Sequence, residues 1–184
     1  MHSLEHYLET AIPGDTAGIA FFDLDRTLIA GYSIIAMAWE TARHGAARGE
    51  LRQSGKVVQD LLRHRADDSG GNYHRLVKRV ARALSGVSEG TLQELGERAY
   101  HNSIARSLYR EAIALVEAHR AAGHTLVIVS AASRYQIEPI ARVLGIDEIC
   151  CTQLEVQHGR FTGRIIAPLC YVEGKVMAAR RVAR

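Results

Sequence analysis

Two stretches of this chain are apolar without alternation. Gly18-Ile19-Ala20-Phe21-Phe22 runs into Asp23, and Thr125-Leu126-Val127-Ile128-Val129 runs into Ser130. A strand covered by helices on both faces carries apolar residues on both sides, so unbroken runs of this kind predict parallel strands in an α/β sheet. A third strand is expected from about 148 to 154. Between the second and third, residues 133–144 place Ile137, Ile140, Val143 and Leu144 at helical spacing, with Gly145 as the stop. Pro139 falls inside that helix, in its first turns or at a kink. Before the second strand, residues 108–122 set Ala112, Leu115, Val116 and His119 on one stripe, and Gly123 closes the helix. Residues 154–166 predict a hairpin turning at His158-Gly159, and a last helix begins at Glu173 and runs to the chain end at Arg184.

Strand–helix–strand–helix–strand order predicts a doubly wound, mainly parallel sheet. The stretch from 32 to 103 breaks that rhythm. It is helical in pattern throughout, with candidate helices at 34–47, 50–64, 72–84 and 88–102, and a loop at Asp67-Asp68-Ser69-Gly70-Gly71. The expected organisation is an α/β core from 1–31 and 104–184 with an inserted α-helical cap from 32 to 103.

Composition changes this picture little. The 184 residues are 47% hydrophobic and 23% charged, enough for one substantial core or a core with a small lobe. A net charge of +3 does not point to nucleic acid, and the basic residues Arg63, His64, Arg65, Arg75, Lys78, Arg79 and Arg82 read as a solvated helix face. No apolar run approaches the ~20 residues needed to span a bilayer, and Met1-His2-Ser3-Leu4-Glu5-His6 lacks the features of a signal peptide. The cysteines, adjacent Cys150 and Cys151 with a solitary Cys170, suit neither a zinc site nor a disulfide framework. They read as buried thiols of a cytoplasmic protein.

Chemistry concentrates in Phe21-Phe22-Asp23-Leu24-Asp25-Arg26-Thr27-Leu28, at the carboxyl end of the first strand, where open α/β sheets bind ligands. Two carboxylates one residue apart project into the loop region, where one can attack while the other handles protons. Their joint negative charge would repel a phosphate unless a hard cation sat between, which implies Mg²⁺. Taken alone, Asp23 and Asp25 read equally well as residues that cap or turn the chain. By the same standard Ser130 is a strand-end cap and Lys175 a surface lysine.

Together these segments resemble the haloacid dehalogenase superfamily. Asp23-Leu24-Asp25-Arg26-Thr27-Leu28 is similar to its first signature, Val127-Ile128-Val129-Ser130-Ala131 to its second, and Gly174-Lys175-Val176 to its third. Thr162-Gly163-Arg164 and Leu144-Gly145-Ile146-Asp147 resemble the phosphoserine-phosphatase-like hydrolases (subfamily IB), which carry a helical cap between the first two signatures. The resemblance implies a Mg²⁺-dependent phosphatase acting on a small phosphomonoester. Asp23 would take the phosphoryl group as an aspartyl-phosphate, and Asp25 would be the acid and base. Ser130 and Lys175 would hold the phosphoryl oxygens, Asp23 and the Asp25 carbonyl the metal, and Thr27 would fix the loop. Asp25 favours phosphate esters or anhydrides over C–halogen bonds, because true dehalogenases have no leaving oxygen to protonate.

Two departures qualify the resemblance. Phosphoserine phosphatases carry an acidic residue for the substrate amine shortly after the first signature, and Gly-Gly after the second-signature serine. This chain has Ile29-Ala30-Gly31-Tyr32-Ser33 and Ala131-Ala132 there, which argues against phosphoserine. The fourth, acidic signature would follow Lys175 and is not in the sequence, so the expected chain is truncated before it. A missing C-terminal segment or a second copy would then cover the open side of the first strand, leaving Ile19, Phe21 and Phe22 poorly covered without it. The competing functional reading is a non-catalytic or incomplete phosphate-binding or interaction domain, such as the leading domain of a larger lipid-synthesis protein with an acyltransferase.

Overall fold

A computed structural model describes residues 12, 18–47 and 70–184. The expected helix at 50–64, with Arg63, His64 and Arg65, lies outside them. Four strands form one sheet in the order β1 (Ile19–Phe22), β2 (Thr125–Ser133), β3 (Glu148–Gln157) and β4 (Arg160–Ile166). The first three are parallel and β4 returns antiparallel to β3. Phe22 stands beside Ile128 in register, so Asp23 follows the end of β1 beside the Val129-Ser130 step of β2.

Helices follow the apolar spacing. Between β1 and β2 lie α1 (Ser33–Ala47), α2 (Gly70–Ala83), α3 (Glu89–Asn102), a 3₁₀ turn (Ile104–Ser107) and α4 (Arg110–Ala121). Then come α5 (Arg134–Leu144) and, after the hairpin, α6 (Glu173–Val182). None of the described helices is long and apolar enough to cross a membrane. Ser88 caps α3, its hydroxyl accepting the Thr91 N–H at 3.1 Å.

Several expected boundaries shift. β2 runs past Val129 to Ser133, with an irregular register between those residues. The third strand does not stop at Leu154: it continues to Gln157, so the expected strand and the first arm of the hairpin are one element. α4 starts at Arg110 because Tyr109 is still extended, and α6 ends at Val182, before Arg184. The hairpin turns where expected, with positive φ at His158 (51°) and Gly159 (73°), the backbone of a two-residue loop that matches strand twist.

One apolar core lies on the side of α4 and α5. It joins Ala20 and Phe22 of β1 and Ile128 of β2 to Ile137 and Ile140, and it continues into α1 and α3 through Met37, Leu92, Leu95 and Tyr100. On the opposite face Val127, Val129, Cys150 and Cys170 pack against Ala178 and Val182 of α6. Phe22 is therefore buried, contrary to the expectation that it lies uncovered. Strand alternation points it inward, edge-on to His119, while Ile19 and Phe21 face the other way.

α5 continues past Pro139, which cannot donate to the Tyr135 carbonyl. Gly96 of α3 is what packs there: a Cβ at that position would stand 2.0 Å from Tyr135 O.

Candidate active site

Just after β1 the chain coils around Leu24. Its side chain is fully buried, and its carbonyl accepts the N–H groups of Thr27, Leu28 and Ile29 at 3.2, 3.0 and 3.2 Å. Leu28 and Ile29 are buried with it, so the neighbours Asp23 and Asp25 are left on the side away from the core. Arg26 takes a left-handed φ of 63°, and its N–H reaches Gly31 O at 3.1 Å. A non-glycine residue held there stores strain of the kind found at functional turns. The loop is braced by Ala30 N–H to Ser107 O and Tyr109 N–H to Leu28 O, at 2.7 and 3.0 Å.

Lys175, in the first turn of α6, donates from Nζ to Asp23 Oδ1 at 2.7 Å, across 152 positions of sequence. Gly174 lets that turn sit close: a Cβ there would lie 1.8 Å from Leu169 O. Ser130 is buried and its hydroxyl accepts the Ala132 N–H at 3.2 Å. Burial pushes the Cys170 thiol up to about 11, with Asp23 adding to the rise and Lys175 and the Ser130 main chain opposing it.

Asp25 is tied differently. Its Oδ1 accepts the Ser33 N–H at 2.7 Å, which satisfies an otherwise unpaired donor at the start of α1. Burial pushes the Asp25 carboxyl above its ordinary pKa. The Ser33 main-chain and hydroxyl bonds pull it back, Asp23 adds to the rise, and Lys175 opposes it. Behind Ser33 stands Gln136 of α5. Its Oε1 accepts both the N–H and the hydroxyl of Ser133, at 2.9 and 2.8 Å, which turns Nε2 toward Ser33 Oγ at 3.1 Å. Since Ser33 Oγ accepts from Gln136, its own proton is free to go to Asp25. The result is a directed chain, Gln136 to Ser33 to Asp25, with Ser33 and Gln136 both buried.

Asp23 and Lys175 are thus brought into contact, with Ser130 and Asp25 at the same strand ends. Thr27 is not part of this: it is exposed, and among the described residues its side chain makes no hydrogen bond. Main-chain bonds, not the Thr27 hydroxyl, fix the loop. Ser33 and Gln136 were missed by sequence reasoning. The available signal was the Ser133-x-x-Gln136 spacing of a capping box at the start of α5.

Asp23 and Asp25 offer hard oxygen donors, of the kind and number Mg²⁺ takes when it keeps most of its water. They fit that ion, although among the described residues no group of three His, Cys, Asp or Glu could hold a metal. A cleft of about 650 Å³ opens from Asp25 between α1, α2, α3 and the end of β2.

A family model described as haloacid dehalogenase-like hydrolase matches residues 20–184. A Mycobacterium tuberculosis protein named "probable phosphatase" is 31% identical over 180 residues, covering 93% of this chain and 60% of that protein. The solved structure of a Bordetella pertussis protein of unknown function superposes with a TM-score of 0.76 at 30% identity, over 91% of this chain and 74% of the other. A substrate-bound phosphoserine phosphatase matches with a TM-score of 0.60 at 16% identity, over 92% and 71%, a likeness of fold alone. The chain spans little more than half the length of the curated relatives it matches.

Proposed function

Because the chain belongs to the haloacid dehalogenase-like hydrolase family, we propose that it is a phosphatase, hydrolysing a small phosphomonoester with Asp23 as nucleophile and Asp25 as acid and base. One observation carries the reading: Lys175 Nζ sits 2.7 Å from Asp23 Oδ1, at the end of the strand that also delivers Asp25. A carboxylate held by a cation and only partly buried is aimed and accessible for attack on phosphorus. Lys175 and Ser130 would then hold the phosphoryl oxygens, Lys175 offsetting their charge.

Burial raises the Asp25 carboxyl above its ordinary pKa, the direction that suits a proton donor. It gives its proton to the leaving alkoxide as the P–O bond breaks, leaving an aspartyl-phosphate on Asp23. As a carboxylate it then takes a proton from the water that attacks this intermediate. Asp23 and the Asp25 carbonyl would hold Mg²⁺, which when bound neutralises charge on the phosphoryl oxygens. In this proposal α1, α2 and α3 belong to the cap from 32 to 103, and the protein works in the cytoplasm.

The test is turnover of p-nitrophenyl phosphate with Mg²⁺ present. Asp23→Asn should abolish it and leave no covalently trapped phosphate. Full activity in that variant sinks the assignment. A phosphate-binding domain without turnover is the second reading, favoured by the lack of a third acidic group at the site among the described residues. It predicts phosphate binding with no hydrolysis in the unmodified chain.

A further inference from the structure

We propose, resting on the phosphatase reading, that the substrate is a phosphomonoester whose alcohol part is an extended apolar chain or ring without an ammonium group. The cleft beside Asp25 holds about 650 Å³, far more than a phosphoryl group fills and typical of sites that enclose a whole ligand. Among the described residues its lining includes apolar Met37 and Ala38 from α1 and Val77, Val80 and Ala81 from α2.

Several of the described polar side chains that line it already have partners within the protein. Gln136 bonds Ser33 and Ser133, Ser88 bonds Thr91, Thr41 donates to Met37 O and Thr152 to Ala131 O. Apolar atoms make up the larger part of the surface left to a ligand.

Charge points the same way. Asp25 is the one carboxylate among the described residues of the lining, and the other ionisable groups are His44 and Arg160. Nearby Glu40 is buried against Arg43 and Asn102 at 2.7 and 3.1 Å, and Glu89 accepts the Tyr135 hydroxyl at 2.8 Å. Among the described residues of the lining, an amino-acid phosphate would find no carboxylate for its ammonium beyond Asp25, and an unpaired charge against apolar surface is costly. An alkyl or aryl body gains from each methylene it buries, up to about fourfold in affinity per CH₂.

Two measurements test this on the full chain with Mg²⁺ present. The first compares kcat/KM along methyl, butyl and octyl phosphate, and between propyl phosphate and 2-aminoethyl phosphate, which differ at one end by a methyl against an ammonium. The expected result is a rise of at least tenfold from methyl to octyl, with propyl favoured over aminoethyl by tenfold or more. The second measures octylphosphonate against methylphosphonate binding by calorimetry, which needs no turnover. Val80→Glu should cut the octyl-to-methyl ratio in both, with its thermal melt checking the fold. Turnover without chain-length preference, or with aminoethyl phosphate preferred, overturns the proposal and leaves the phosphatase reading intact. Octylphosphonate preference with no hydrolysis of any ester supports the apolar cleft while sinking the phosphatase reading.

Discussion

Asp25 is held by the Ser33 N–H, and Ser33 in turn by Gln136, which makes its surroundings testable residue by residue. Gln136→Leu removes the donor to Ser33 and the acceptor of Ser133 together, freeing the Ser33 hydroxyl to turn away from Asp25. We expect kcat to fall about tenfold or more from misplacement of the carboxyl, with KM for a small phosphate ester little changed. Gln136→Glu keeps the acceptor and loses the donor, so it should recover only part of the loss. A loss confined to thermal stability would reduce Gln136 to a structural role. Asp25→Asn should still form the phosphorylated intermediate but release it slowly, seen as a burst in rapid-quench traces; release at the normal rate would remove Asp25 as the base. That Asp23 and Asp25 follow β1 and that Lys175 opens the last helix was legible because each stands in a short local pattern. Ser33 and Gln136 were not, because the bond joining them spans 103 positions and neither residue type announces a partner so distant.

At the level of elements, apolar periodicity placed nearly every described strand and helix, and the errors fell where local pattern carries no signal. β3 outran its prediction because Glu155 and Gln157 interrupt the apolar run while Val156 and Gln157 still pair with β4. The closeness of α3 to α5 was also invisible, since it depends on Gly96 meeting the Tyr135 carbonyl across two helices. Gly96→Ala tests that contact. Alanine gains about 1 kcal/mol of helix propensity, but a Cβ 2.0 Å from Tyr135 O must push the helices apart, and overpacking costs about 1–3 kcal/mol or more. The clash should win, lowering the melting temperature; a stabilised Gly96→Ala would show that α3 is free to shift. The buried thiols of β3 and of the loop before α6 give a pH prediction. Burial raises Cys151 to about 12 and Cys170 to about 11, against an ordinary 9.0 in the unfolded chain. The folded state then keeps protons that the unfolded state loses, so this stability is complete below pH 9 and is lost as pH rises through 11 and 12. Melts between pH 8 and 10.5 should fall progressively, with a shallower slope for Cys151→Ala. Rapid labelling of native thiols by a disulfide reagent at pH 8 would contradict their burial.

Taken whole, the molecule has one weakly defended flank. β1 pairs with β2 on one side, and among the described residues nothing pairs with its other edge. Phe21 stands beside Val127 in register and shares its face, yet Val127 is sealed in the core over which α6 packs while Phe21 is 40% exposed and Ile19 37%. Alternation explains which residues lie open: Ala20 and Phe22 turn toward α4 and α5, Ile19 and Phe21 away. An apolar edge with unpaired N–H and C=O groups is a template for another strand, and soluble proteins usually blunt such edges with charge. Val176 and Met177 of α6 are also exposed, adding apolar surface to the described part of the chain. We therefore expect the 184-residue chain to self-associate at micromolar concentration, eluting above its 20.2 kDa mass in size-exclusion chromatography with light scattering. Phe21→Lys should return it toward a monomer without lowering its melting temperature, because the side chain lies outside the core and lysine opposes edge pairing. A wild-type chain that stays monomeric, or a Phe21→Lys variant that associates as strongly as the parent, would show that the β1 edge is not the surface that joins copies.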